Sequence, residues 1–212
     1  MKHGANRRSV SSKAFVVMLA LVLALGCAVG GTIAWLTANT DPVVNTFTYG
    51  DINIELYEHK YDAATNTLDE SQKVDKVEDY KIVPGKNLPK DPTVKVVGGS
   101  EACYLFVKVV ETGTFVADKV TYTIRADGWT KGDGTNIPTD VYYRVVPAAT
   151  TDTAFYMLTG DAANPNGVVT VKDTLTKDDI KNITNPTLTF TAYAVQKDGI
   201  ADAAAAWAKI GA

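Results

Sequence analysis

The sequence predicts an all-β protein in which two antiparallel sheets pack on one another as a β-sandwich, with a short C-terminal helix and an N-terminal signal helix in front. Three observations carry this. Beyond residue 36, runs of alternating Val, Ile, Thr and Tyr recur at short spacing between Gly, Pro, Asn and Asp, the pattern of half-buried strands joined by turns. Helical periodicity is scarce over the same stretch. The one long uninterrupted apolar run lies at the N-terminus, behind a cluster of basic residues.

Taken in order, residues 1–13 hold Lys2, Arg7, Arg8 and Lys13 and no acid. Residues 14–29 (AFVVMLALVLALGCAV) are uncharged and almost wholly apolar, and Gly30, Gly31 and Thr32 then break the run before Ala34. These are the n-region, h-region and small-residue exit of a secretory signal, so 1–34 is expected to be a signal peptide and 35–212 a single secreted domain. As a helix the apolar run spans roughly 24 Å at about 1.5 Å per residue, short of a hydrocarbon core of roughly 30 Å. Adding residues 30–36 would make it long enough for an uncleaved anchor, with the domain still outside the cell. Ala24-Leu25-Gly26-Cys27 loosely resembles a lipobox, with Ala24 where leucine is expected and Leu25 where a smaller residue is.

Candidate strands follow at 45–57, 93–97, 102–111, 120–125, 141–146, 154–158, 168–171 and 187–196, eight in all, which suits two packed sheets. Within the first, Phe47 and Tyr49 are odd-numbered while Ile52, Ile54 and Leu56 are even, so a β-bulge at Gly50 is expected to bring both sets to the core face. Residues 58–80 (EHKYDAATNTLDESQKVDKVEDY) read as a polar surface excursion or hairpin without core. Pro92 is expected to stop pairing before the strand at Thr93. Alternation sets Cys103, Leu105, Val107 and Val109 on one face. A short helix is predicted over 174–183, with Asp178 and Asp179 in its first turn. Another is predicted over 198–210, laying Trp207 on the sheets.

The chemistry the chain excludes is as informative. The whole sequence carries 21 basic and 24 acidic side chains; without the four basic residues of the leader, 17 face 24, so the domain is acidic and nucleic acid is not an expected partner. Cys103 is the sole cysteine after the leader, so no intramolecular disulfide is expected. It reads as a small buried hydrophobe. There is no HExxH and no GxSxG, and the two histidines are His3 and His59. His59 with Glu58 and Asp62 would be a sparse metal site; a solvated loop is the expected setting. The turn-rich link 127–140 offers Asp133, Asn136 and Asp140 to calcium, without EF-hand spacing, and turn chemistry accounts for the same residues. No cofactor and no catalytic residue is expected.

The stretch Gly30-Gly31-Thr32-Ile33-Ala34-Trp35-Leu36-Thr37, followed by Asn45-Thr46-Phe47-Thr48-Tyr49-Gly50-Asp51-Ile52-Asn53-Ile54-Glu55-Leu56, resembles the start of the TasA and camelysin family, exported proteins of Gram-positive bacteria. Weaker likeness runs through Pro84-Gly85, Lys90-Asp91-Pro92-Thr93-Val94, Trp129, Val141-Tyr142-Tyr143 and the ending Ala192-Tyr193-Ala194-Val195-Gln196 with Ala206-Trp207. The resemblance implies a jelly-roll-like sandwich, secreted or held at the cell surface. It also implies a leader cut by a dedicated SipW-type signal peptidase near Ala34, Trp35 and Leu36. Some members build biofilm-matrix fibres, which makes self-association the expected partnership, with matrix or cell-surface proteins as others. The freed N-terminus, including Thr37, Val43 and Val44, would then be a strand donated to the next subunit; a plain tether is the alternative, since Asp41-Pro42 interrupts a long ladder. Two other functions stay open, a camelysin-like surface metallopeptidase and a membrane-anchored binding module. One mature histidine departs from what zinc proteolysis needs.

Overall fold

The sequence CYLFVKVVET is too continuously apolar at its start for a strand with one wet face, and it forms the strand on which the largest sheet is organised, with both faces covered. In the computed structural model, described over residues 37–41, 44–45, 52–77, 80–113, 119–182 and 186–210 (the first two segments by backbone alone), the strands in chain order are as follows. They are β1 (Thr37–Asp41), β2 (Val44–Asn45), β3 (Ile54–Asp62), β4 (Thr67–Val74), β5 (Leu88–Pro89), β6 (Thr93–Val96) and β7 (Cys103–Thr112). After these come β8 (Val120–Thr121), β9 (Thr130–Lys131), β10 (Val141–Val146), β11 (Thr153–Tyr156), β12 (Val168–Val171) and β13 (Thr187–Gln196). Two short helices, α1 (Lys177–Lys181) and α2 (Ala203–Trp207), flank β13. All of these belong to one compact unit, Trp35–Ala212.

Among the described residues every strand pairing is antiparallel. A six-stranded sheet runs β2-β1-β13-β7-β10-β9, a four-stranded sheet β11-β6-β3-β4 and a three-stranded sheet β5-β12-β8. β7 and β13 pair over ten residues from Cys103↔Gln196 to Thr112↔Thr187, the longest ladder described. Period-two alternation then assigns the faces. Cys103, Leu105, Val107 and Val109 of β7 pack with Phe190, Ala192 and Ala194 of β13 and with Ile54, Val94 and Val96 of the four-stranded sheet. Tyr104 and Phe106 point the other way and are covered by α2, where Phe106 and Trp207 stack with ring centroids 5.3 Å apart. Ile52 and Ile54 are buried and Leu56 packs beside them, as the even-numbered register requires. Phe47, Tyr49 and the bulge expected at Gly50 lie outside the described residues, as do the signal segment 1–34 and Val43.

Local sequence explains the ends. Thr176 caps α1 through a reciprocal capping box with Asp179, and Asp202 caps α2 by accepting from the Ala205 N–H at 2.8 Å. Of the eight strands read from sequence, 93–97, 102–111, 141–146, 154–158, 168–171 and 187–196 appear within two residues of their expected ends. The strand expected at 120–125 is confined to Val120–Thr121, with a single bridge from Ile124 to Leu158 beyond it. The excursion at 58–80 is largely ordered pairing: β3 continues to Asp62 and folds back as β4 through a turn with Asn66 at φ 57°. Between His59 and Lys60 the partner jumps from Lys73 to Asp69, so residues 70–72 are extruded from the ladder.

Candidate functional site

Three places in the fold hold residues to which the sequence drew attention. The first is the N-terminal edge of the large sheet. β1 pairs with β13 through Thr37↔Val195, Ala38↔Ala194 and Asn39↔Tyr193, and then turns back on β2 through Thr40↔Asn45 and Asp41↔Val44. The reversal falls between Asp41 and Val44. Thr37 and Val44 of the expected donor segment therefore lie on neighbouring strands at one margin of the sheet, with three register pairs to β13 among the described residues. Ala34, Trp35 and Leu36 lie outside the described residues.

The second is a buried polar group where β3 leaves β6. β3 pairs with β6 from Ile54↔Val96 to Tyr57↔Thr93, and the ladder would next reach Pro92 and Asp91. Proline stops it, and the Asp91 carboxylate takes the place of the missing backbone partner. Its Oδ1 accepts the His59 N–H at 3.0 Å and its Oδ2 lies 2.6 Å from His59 Nδ1. The donor and acceptor roles in this second contact follow the tautomer of His59. Asp91 is fully enclosed and His59 nearly so, which corrects the expectation of a solvated, coreless loop. Sequence reading missed this because the two residues are 32 positions apart; Asp-Pro ahead of a strand was the available signal.

Beside the pair, Lys90 Nζ donates to Glu58 Oε1 at 2.6 Å and Oε2 at 2.9 Å, with both side chains mostly buried. The Tyr80 hydroxyl donates to the Pro89 carbonyl at 2.9 Å, and burial pushes this phenol far up from its ordinary value. The Tyr57 ring meets the His59 ring edge-on, 5.5 Å between centroids. Glu58, His59 and Asp62 are not brought together as ligands. Glu58 turns to Lys90, His59 to Asp91, and Asp62 Oδ1 accepts the Ala64 N–H in the hairpin turn at 2.8 Å. Among the described residues no three His, Cys, Asp or Glu side chains are grouped to hold a metal ion.

The third is the turn from β9 to β10. Asp133 Oδ1 accepts the N–H groups of Thr135, Asn136 and Ile137 at 2.9, 2.9 and 3.0 Å, which holds its carboxyl well below the usual range. Its Oδ2 accepts from Asn136 Nδ2 at 3.3 Å. Asp140 lies instead near Lys108 of β7, at 3.8 Å. Asp133 and Asn136 thus meet as an Asx-type turn, with Asp140 directed elsewhere.

Cys103 is buried in the main core and carries no partner for thiolate chemistry among the described residues; burial pushes its thiol up to about 12. None of the described helices is long and apolar enough to cross a membrane. Compared with family models, curated proteins and solved structures, the chain matches none of them.

Proposed function

We propose that this chain is an exported structural protein, built on a jelly-roll-like β-sandwich, that assembles head to tail by exchanging its N-terminal strand between copies. The observation that carries the reading is the pairing of β1 with β13. The segment that directly follows the expected cleavage region is itself a strand, and with the two-residue β2 it forms a hairpin at one margin of the six-stranded sheet. A β13 edge that accepts Thr37, Ala38 and Asn39 from its own chain presents the same register to the same residues of another copy.

Exchange conserves the backbone bonding: the hydrogen bonds of the three described register pairs, each contributing about 0.5–1.5 kcal/mol net, are lost when β1 leaves and formed again when the next copy's strand docks. Such a contact is heterologous: donor and acceptor surfaces differ, and the rotation need not close, so a filament is the natural product. The resemblance of residues 30–56 to the TasA and camelysin proteins supports the same reading. So does the shared core of the six- and four-stranded sheets, in which inward residues of β7 and β13 meet those of β3 and β6 as the two layers of a sandwich would.

In this account the leader 1–34 directs export through the general secretory route, a dedicated peptidase cuts near Ala34, and the product stays in the extracellular matrix or at the cell surface. Electron microscopy of protein beginning at Trp35 and of protein beginning at Asn45 tests it. Fibres from the longer chain alone are expected. Equal fibre formation by both, or none by either, would sink the strand-exchange mechanism, and mass spectrometry of the native N-terminus checks the cut.

A further inference from the structure

Arg144 breaks the pattern of the strand that carries it. In β10 (VYYRVV) it sits opposite Leu105 of β7, and Leu105 faces the main core, so Arg144 is on the inward face between Tyr142 and Val146. Across from it, Phe155 of β11 pairs with the fully buried Val94 and packs against the same core. The guanidinium carbon lies 3.9 Å from the centre of the Phe155 ring and 5.4 Å from that of Trp129. Trp129 is itself pinned by donating Nε1–H to the Tyr156 carbonyl at 3.1 Å. On the remaining side lies Gly128, at φ 74°, where an added Cβ would stand 2.6 Å from Nη2 and displace the guanidinium.

This cradle holds a cation but supplies no acceptor. Arg144 Nε is sealed from solvent without a hydrogen-bond partner, and the guanidinium makes no hydrogen bond or ion pair with the described residues. A donor sealed from water and left unpaired, as Nε–H is here, is a costly arrangement. Burial lowers the affinity of the group for its own proton, and the charge of Asp127 acts on it through space in the opposite direction. Arg144 nonetheless keeps part of its surface open to solvent. Rings fix the orientation of the planar fork, glycine leaves room for it, and the Nε donor has no partner in the fold.

We infer that Arg144, held between Phe155, Trp129 and Gly128, is the anchor of a binding site for a single carboxylate group. Three features select that chemistry. A flat guanidinium held against rings presents its donors edge-on, which matches a planar carboxylate. Asp127 already offsets part of the positive charge, so a monoanion is accommodated better than a dianionic phosphate. The walls are aromatic, so the remainder of the ligand meets π faces and not further charge.

An inward-pointing charge also guards a sheet edge against unwanted pairing, and ligand titration separates the two roles. On isotopically labelled full chain, the Arg144 Nε–Hε and Trp129 indole resonances are followed while N-acetylglutamate α-methylamide, methyl glucuronide, or the neutral amide counterpart of each is added. A saturable shift of both resonances with a carboxylate and none with its amide is expected, and the tighter of the two carboxylates identifies an amino-acid or a sugar source. Arg144→Met should weaken binding about tenfold or more, as loss of a charge-assisted pair does. Asp127→Asn, at an exposed position where folding is not at stake, should tighten it about two- to fivefold. No saturable shift with either carboxylate, equal shifts with the amides, or unchanged affinity in both variants would overturn the assignment.

Discussion

Asp91 shows how much one residue holds when a proline interrupts a ladder. Its carboxylate serves both the backbone and the ring of His59 from a position with no solvent access, so removing it leaves a buried N–H and a buried imidazole together. Asp91→Ala is therefore expected to cost about 3–5 kcal/mol in urea unfolding, the range for breaking one side of a buried polar pair. Asp91→Asn, which keeps one carbonyl acceptor, should lose less. A change below about 0.5 kcal/mol in the alanine variant, typical of surface positions, would contradict the role given to this contact. Cys103 makes a second residue-scale prediction. With its thiol pushed up to about 12, the folded chain stays protonated where the unfolded chain has already ionised. Stability should consequently fall as pH rises through the ordinary thiol range near 9, and a Cys103→Ala or Cys103→Val chain should lack that component. In the native protein the thiol should resist an aromatic disulfide reagent at pH 8 and react fully in denaturant.

At the scale of elements, the β9 to β10 turn depends on Asp133, whose carboxylate caps three backbone N–H groups. Because the folded carboxyl is held below its usual range, the stabilisation it gives is complete above the unfolded value and is lost as pH falls through the folded one. Asp133→Ala should lower the melting temperature at neutral pH, and the gap from the parent chain should close toward strongly acidic pH. A gap independent of pH would show that the turn is held by something else. The same elements show what a sequence discloses. β7, β10 and β13 were legible because long Val- and Tyr-rich runs carry their own period. β4 was not, since TLDESQKV is polar on both faces and owes its strand geometry to pairing with β3. β5 and β9, two residues each, are below the length at which any period can be read. Burial of His59 was hidden for a different reason: its partner is fixed by the fold and not by spacing. The inward phase of Arg144 was hidden as well: alternation in VYYRVV groups Val141, Tyr143 and Val145 as the uncharged face and would turn the arginine outward, and only the pairing with Leu105 shows otherwise.

For the whole molecule, the decisive question is whether the edge formed by β1 and β13 belongs to one chain or is shared between chains. Thr37 and Val195 are directly opposite in an antiparallel register, where backbones approach closely enough for a disulfide between cysteines placed there. In a Thr37→Cys, Val195→Cys chain the two arrangements give different covalent products. A closed monomer links the pair within one chain, locks β1 in place and should form no fibres until it is reduced. A strand-exchanged filament links each copy to the next, so oxidation after assembly should give a ladder of covalent multimers on a denaturing gel. Cys103 does not confuse the readout, being buried in the core on the opposite side of the ladder from the outer edge of β13. The expected result is both behaviours from one protein: monomer when oxidised before assembly, ladder when oxidised after it. Fibres from the pre-oxidised chain would show that β1 never leaves its own sheet and that assembly uses another surface. Fibres that yield only intrachain links after oxidation would show the same.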